Sequence, residues 1–221
     1  MTAVRTPFQR ELAAPQTGLG EEATLVAVEA MIADTIGTLR SEWGAMSAAV
    51  VPRPGVLHTD SVLDLLEGMV SSGGKRFRPR MAHWGWVAAG GRGRGTGYAE
   101  LIRLGAALEL LHVFALIHDD VMDGSTTRRG SLSVHESARR EHLNRRGFGD
   151  PARYGENIAI LAGDLAHSEA DLLVAGLPRE LQQLWRTLTV ELILGQGRDL
   201  VGAANGRRDL AHAREVARVK S

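Results

Sequence analysis

Apolar residues recur at helical spacing along most of the chain, and no alternating strand pattern of useful length interrupts them. Leu25, Val28, Ile32 and Ile36 predict a first helix over 21–49, ended by the Val-Pro-Arg-Pro-Gly segment at 51–55. A second helix is predicted over 59–70, with Thr59 or Asp60 as its N-cap. A third, over 79–90, opens on Pro79, whose missing N–H suits a first turn. Its Trp84 and Trp86 read as core or interface packing residues rather than chemistry. The longest pattern runs from 101 to about 123, where Leu104, Leu108, Leu111 and Ala115 recur at helical spacing. Segments 157–177 and 181–203 predict two further helices, and the stretch from 207 to Ser221 begins another. The fold class is all-α.

Residues 1–20 carry Pro7, Pro15, Gly18 and Gly20 without a sustained period and read as a flexible N-terminal arm. That leaves 21–221 as one helical domain, a size that supports a single substantial core. The charged segment 137–155 reads as a surface excursion between helices. Asp164 lies inside an apolar run, where an ionised carboxylate needs a partner.

Composition removes several function classes. There is no cysteine, so neither disulfides nor a thiolate metal site is available. Lys plus Arg equal Asp plus Glu at 26 each, so no global field argues for nucleic acid. Arg139, Arg140, Arg145 and Arg146 lack the aromatic interleaving of a nucleic-acid surface. The Gly- and Arg-rich stretch 90–97 has neither the preceding strand nor the Lys-Ser/Thr ending of a phosphate loop. The apolar runs are expected to fall short of a membrane span, and no signal-peptide core follows Arg5 and Arg10. A cytoplasmic location is the expectation.

Candidate chemistry concentrates at two places. The 101–123 helix ends in Asp119, Asp120 and Asp123, followed by Arg128-Arg129-Gly130. Asp119 and Asp123 are one turn apart and share a face. Carboxylates near a helix C-terminus oppose the macrodipole, and a hard divalent cation such as Mg²⁺ relieves their repulsion. The second place is Ser-Ser-Gly-Gly-Lys-Arg-Phe-Arg-Pro-Arg at 71–80, where Gly73 and Gly74 precede Lys75, Arg76 and Arg78. Glycines there allow backbone amides to approach an anion, and the cations supply countercharge. Acids for a metal beside arginines for a phosphate suit a metal-diphosphate site.

The stretch ELLHVFALIHDDVMDGSTTRRG resembles the first aspartate-rich region of the trans-isoprenyl diphosphate synthases, the chain-elongating prenyltransferases. GGKRFRPR upstream, LAGDLA and GQGRDL downstream, and the final VKS match that family in the same order, from about residue 25 onward. The resemblance implies an isoprenoid-synthase-type helical bundle, incomplete at its C-terminus, and head-to-tail condensation of isopentenyl diphosphate with an allylic diphosphate. It assigns Mg²⁺ to Asp119, Asp120 and Asp123. Lys75, Arg78, His112 and Arg129 would hold isopentenyl diphosphate, and Arg128 and Lys220 the allylic diphosphate. Gln196 and Asp199 would face the cavity. Arg76 matches the motif without an assigned role. Phe114, with the small Ala115 beside it, implies a medium-chain product, farnesyl or geranylgeranyl diphosphate.

The family also carries a second aspartate cluster, and this sequence has none. The chain is therefore expected to be a fragment, a subunit completed by another chain, or a non-catalytic partner subunit. Alone it is expected to show little or no synthase activity. The family usually forms homodimers. A class I terpene cyclase shares the aspartate motif, but would not need GGKRFRPR or the paired arginines for a second diphosphate.

Overall fold

The computed structural model describes residues 20–48, 56–93, 95–207 and 209–220, with some side chains of the last helix, Lys220 among them, outside the description. Most of the arm expected over 1–20 and the break at 51–55 also lie outside it.

The helices are α1 (Glu21–Ser47), α2 (Asp60–Ser71), α3 (Phe77–Ala88), α4 (Thr96–Met122), α5 (Val134–Asn144), α6 (Pro151–Ala175), α7 (Arg179–Ala204) and α8 (Leu210–Lys220). A two-stranded ribbon, β1 (Thr127–Arg128) with β2 (Ser131–Leu132), separates α4 from α5. The fold is all-α, as the periodicity predicts.

Helix α4 is the centre of the bundle, packed against α1, α3 and α6. Its Ala106, Ala107, Leu110 and Ile117 are almost completely buried. Facing them, α6 presents Gly155, Ala159, Ala162, Ala166 and Ala170 at intervals of three and four residues. Small side chains on one face let the two helices approach closely. Helix α1 crosses α4 at Gly105, where an added Cβ would stand 2.8 Å from Val28 Cγ2. Leu63 and Leu66 of α2 complete the core. Helix α6 starts at Pro151, ahead of the predicted 157: Asp150 accepts a 2.9 Å hydrogen bond from the Ala152 amide, and Pro151 takes the first position.

Three expectations change. By length and composition alone, α4 is long and apolar enough to cross a membrane, with 27 residues and a stretch of 18 whose mean hydropathy is 1.6. Neighbouring helices cover it, and it carries the buried acids Glu109 and Asp120. Segment 137–155 is not a loop excursion: it is most of α5, which packs on α6, and the start of α6 itself. Its charges conceal the burial of Val134, Ala138 and His142. Within it, Arg139 and Arg140 hydrogen-bond the buried Glu136 and hold its pKa down at about 2. Asp164 is not buried either. Its side chain is 64% exposed, and His118 Nε2 stands 3.7 Å from it.

Trp84 is exposed, which excludes the core but not an interface, and its Nε1 donates to Glu21 at 2.8 Å.

Candidate functional site

The C-terminal turn of α4 separates its three aspartates. Asp120 is 2% exposed and points back at Arg128, whose Nε donates to its two oxygens at 3.0 and 3.2 Å, with Nη2 bonded as well. Asp119 lies on the more open side. It accepts a 3.2 Å bond from Gln196 Nε2 on α7 and stands 3.8 Å from Arg128 Nη2. Asp123 caps the helix, its amide bonded to the Asp119 carbonyl at 2.8 Å, and is exposed. Gln196 thus lies beside Asp119, with Asp199 three residues further along α7.

Arg128 reaches Asp120 because of the ribbon. Thr127 pairs with Leu132 and Arg128 with Ser131, leaving Arg129-Gly130 as the two-residue turn. Both have positive φ, 53° and 82°, a pairing typical of hairpin turns that match strand twist. The turn aims Arg128 at α4 and Arg129 toward α2. Hydrogen bonding to Asp120, despite partial burial, raises the pKa of Arg128.

The glycine loop lies between α2 and α3. Arg129 Nη1 donates to the Gly73 carbonyl, and its guanidinium occupies the space above Gly74, where an added Cβ would sit 3.1 Å from Nη1. Gly73 itself has φ 73°. Lys75 is exposed and Arg78 half-buried. His112, half-buried on α4, feels them both: burial first, then the charges of Arg78, Arg129, Arg128 and Arg76, push its pKa down to about 4. It is neutral at physiological pH. A neutral imidazole ringed by cations leaves the positive field intact for an anion.

Arg76, left unassigned by the sequence, has a defined place. It adopts φ 47° and ψ 41° at the N-cap of α3. Its Nε bonds Glu29 at 2.7 Å on α1 and its Nη1 bonds Glu109 at 3.0 Å on α4. Burial opposes its charge, but the two carboxylates raise its pKa. Glu109 and Glu29 had no signal in the sequence, because their partner lies 33 and 47 residues away.

Phe114 stands one turn before His118 on α4, tilted against His118 at 4.6 Å and His167 of α6 at 4.7 Å. These rings form an aromatic partition between α4 and α6, below the aspartates. Lys220 closes α8, but its side chain lies outside the described residues, and so does Ser221.

Asp119 and Asp123 fit a hard divalent cation in part. Among the described residues no group of three His, Asp or Glu side chains forms a ready metal cage. Mg²⁺ is commonly held by one or two carboxylates, with water and phosphate oxygens completing its shell, so the donor set suits a metal that arrives with a diphosphate.

The architecture is that of the all-α isoprenoid synthases. The geranylgeranyl pyrophosphate synthase of Corynebacterium glutamicum, whose crystal structure contains isoprenyl diphosphate and magnesium, superposes with a TM-score of 0.75 at 30% identity, over 91% of this chain and 56% of that one. The polyprenyl synthetase family profile matches residues 59–221, and the chain belongs to that family. The geranylgeranyl diphosphate synthase of Sulfolobus acidocaldarius is 39% identical over 116 residues, 51% of this chain and 29% of that protein. The nonaprenyl diphosphate synthase of Mycobacterium tuberculosis is 34% identical over 146 residues, 66% of this chain and 36% of its own length. The chain thus matches 29% to 36% of these two curated relatives.

Proposed function

We propose that the protein serves as a trans-prenyltransferase, condensing isopentenyl diphosphate with an allylic diphosphate in a Mg²⁺-dependent reaction. The observation that carries this reading is the placement of two anion-binding features on one helix. His112, with Arg78 and Arg129 beside it, precedes Asp119 by two turns of α4, a rise of about 10 Å. That separation suits two diphosphates side by side.

In this reading Lys75, Arg78, His112 and Arg129 hold isopentenyl diphosphate through charge-assisted hydrogen bonds. Arg128, oriented by Asp120, faces the allylic diphosphate, joined by Lys220. Asp119 and Asp123 would hold Mg²⁺, with Asp120 assigned to them by family resemblance but engaged by Arg128 in this arrangement. Bound magnesium supplies Lewis-acid stabilisation of the leaving diphosphate. The allylic C–O bond breaks with its electron pair on the diphosphate, and the isopentenyl double bond forms the new C–C bond. Loss of a proton, with the departing diphosphate as acceptor, restores an allylic product. Gln196 steadies Asp119, with Asp199 beside it on α7. Apolar residues of α4 and α6 keep water from the cation.

The product belongs to the medium range, farnesyl or geranylgeranyl diphosphate, because Phe114 and its two histidines obstruct a tail growing along α4. Leu161, Leu172, Leu184, Val190, Ile193 and Val201 are exposed on α6 and α7. Such a surface suits work within an assembly, either a homodimer or a complex with a completing chain. A cytoplasmic site of action is part of the same reading.

Incubation with isopentenyl diphosphate, an allylic primer and Mg²⁺, followed by mass analysis of the released alcohols, tests it. The expected products lengthen in five-carbon steps, with little or no turnover by the 221-residue chain alone and more once a completing chain is added. Cyclised hydrocarbons without isopentenyl incorporation would replace this reading with a cyclase. Under the same assay, Phe114→Ala is expected to lengthen the main product by one or more isoprene units, and an unchanged distribution would place the floor elsewhere.

A further inference from the structure

Arg76 is the cation of the glycine-loop motif whose guanidinium is engaged by carboxylates, although it stays near enough to add to the positive field at His112. Lys75 is exposed and Arg78 half-buried, whereas the Arg76 side chain is only 11% exposed and its guanidinium is taken up by protein. Three elements meet on it: Glu29 of α1 at 2.7 Å, Glu109 of α4 at 3.0 Å, and the Val70 carbonyl near the end of α2 at 3.5 Å. The side chain of Glu109 is 5% exposed, and it precedes His112 by three residues on α4. The same clamp therefore grips the helix that carries His112 and the loop that carries Lys75 and Arg78.

The backbone agrees with this arrangement. Arg76 has φ 47°, a left-handed conformation that costs a non-glycine residue free energy and persists where surrounding contacts fix it. Arg129 also has positive φ, 53°, and reaches the same loop from the other side by bonding the Gly73 carbonyl. Two arginines thus hold the loop at both ends. Arg129 remains exposed, while the Arg76 side chain is largely buried beside the groove that Glu29, Gly73 and Gly74 line.

We infer that Arg76, with Glu109 and Glu29, is a positioning residue that sets the glycine loop against α4, so that Lys75, Arg78 and His112 converge on one diphosphate without Arg76 touching it. The inference rests on the reading of Lys75, Arg78 and His112 as a diphosphate site. It makes Glu109, an acid, necessary for holding an anion. The opposite follows if Arg76 is itself a ligand, because removing the Glu109 charge would then free a cation for the anion.

Titration of the full chain with inorganic diphosphate, without metal, distinguishes the two. Lys75→Ala should weaken binding, which establishes the site. Glu109→Gln keeps the shape and one hydrogen bond but removes the charge, and it should weaken binding about tenfold, the scale of one charge-assisted hydrogen bond. Arg76→Met should weaken it comparably, and the double variant should be no worse than the more damaging single one, since both break the same clamp. Glu29→Gln, at the more exposed arm, is a milder variant expected to fold normally and to weaken binding about two- to threefold. Glu136→Gln serves as the control for lost stability, since it breaks a comparable Arg–Glu arrangement on α5 and should leave diphosphate binding unchanged.

Binding unchanged or tightened in both Glu109→Gln and Glu29→Gln, with Lys75→Ala still weakening it, would overturn the inference alone. Equal weakening by Glu136→Gln would also overturn it, by showing that any loss of stability suffices. Diphosphate binding that is absent, or indifferent to Lys75→Ala, would overturn the site reading and this inference with it.

Discussion

Exchanging Asp119 for alanine is expected to abolish Mg²⁺-dependent binding of a diphosphate analogue while leaving the fold nearly as stable as before. Asp119 lies on the open side of the last turn of α4, with Gln196 Nε2 at 3.2 Å and Arg128 at 3.8 Å. Neither contact buries it, so its removal leaves no orphaned charge in the core. In the proposed function, metal affinity depends on it directly, since Mg²⁺ takes only one or two protein carboxylates beside phosphate and water. Losing one of two removes a large share of the protein's contribution. Affinity should fall by about 100-fold or more, equivalent to roughly 3 kcal/mol. Calorimetric titration with and without Mg²⁺ measures this, and thermal unfolding should shift little. Retained Mg²⁺-dependent binding would remove the metal from this helix end.

The adjacent residue should behave in the opposite way. Asp120→Ala is expected to lower stability by about 2 kcal/mol, less than the roughly 3–5 kcal/mol seen when one partner of a fully buried pair is removed. The reduction reflects Arg128, whose side chain is 28% exposed and can recover some hydration. Asp120 itself is buried, and Arg128 grips it through both Nε and Nη2. Without that anchor, Arg128 is free to turn toward solvent, and the ribbon loses its tie to α4. Asp120→Asn, which keeps the shape and one acceptor, should cost about half as much. Denaturant unfolding of the two variants gives the comparison. Equal stability losses for Asp119→Ala and Asp120→Ala would contradict the division of labour between these neighbours.

That division could not be read from the sequence. Spacing is enough to place Asp119 and Asp123 on one helical face, because one turn of helix has a fixed length. It says nothing about which aspartate is buried, since that depends on an arginine returning through a two-residue turn. The ribbon itself was invisible to pattern reading: two residues per strand give no alternation to detect. Its one local signal was Gly130 after Arg129, in a turn needing positive φ at both positions. Helix α4 was plain because its apolar residues recur for several turns. Helix α5 was concealed, because Glu136, Arg139 and Arg140 make its surface polar while Val134, Ala138 and His142 go inward. Asp164 shows the converse error. An acid among apolar residues suggests burial, but the apolar neighbours Leu161 and Ile160 on that side of α6 are themselves exposed. Glu109 and Arg76 were out of reach for a different reason, since two opposite charges far apart in sequence carry no common period.

The claim that depends on all these placements is that one helix, α4, serves two diphosphates, one gripped by side chains and the other by a metal. Equilibrium titration of isopentenyl diphosphate and of an unreactive allylic diphosphate analogue, each with and without Mg²⁺, tests it most directly. The account predicts two sites per chain: one for isopentenyl diphosphate that needs no metal and is lost in Lys75→Ala, and one for the allylic analogue that needs Mg²⁺ and is lost in Asp119→Ala. A single site, or two sites lost together in either variant, would contradict it.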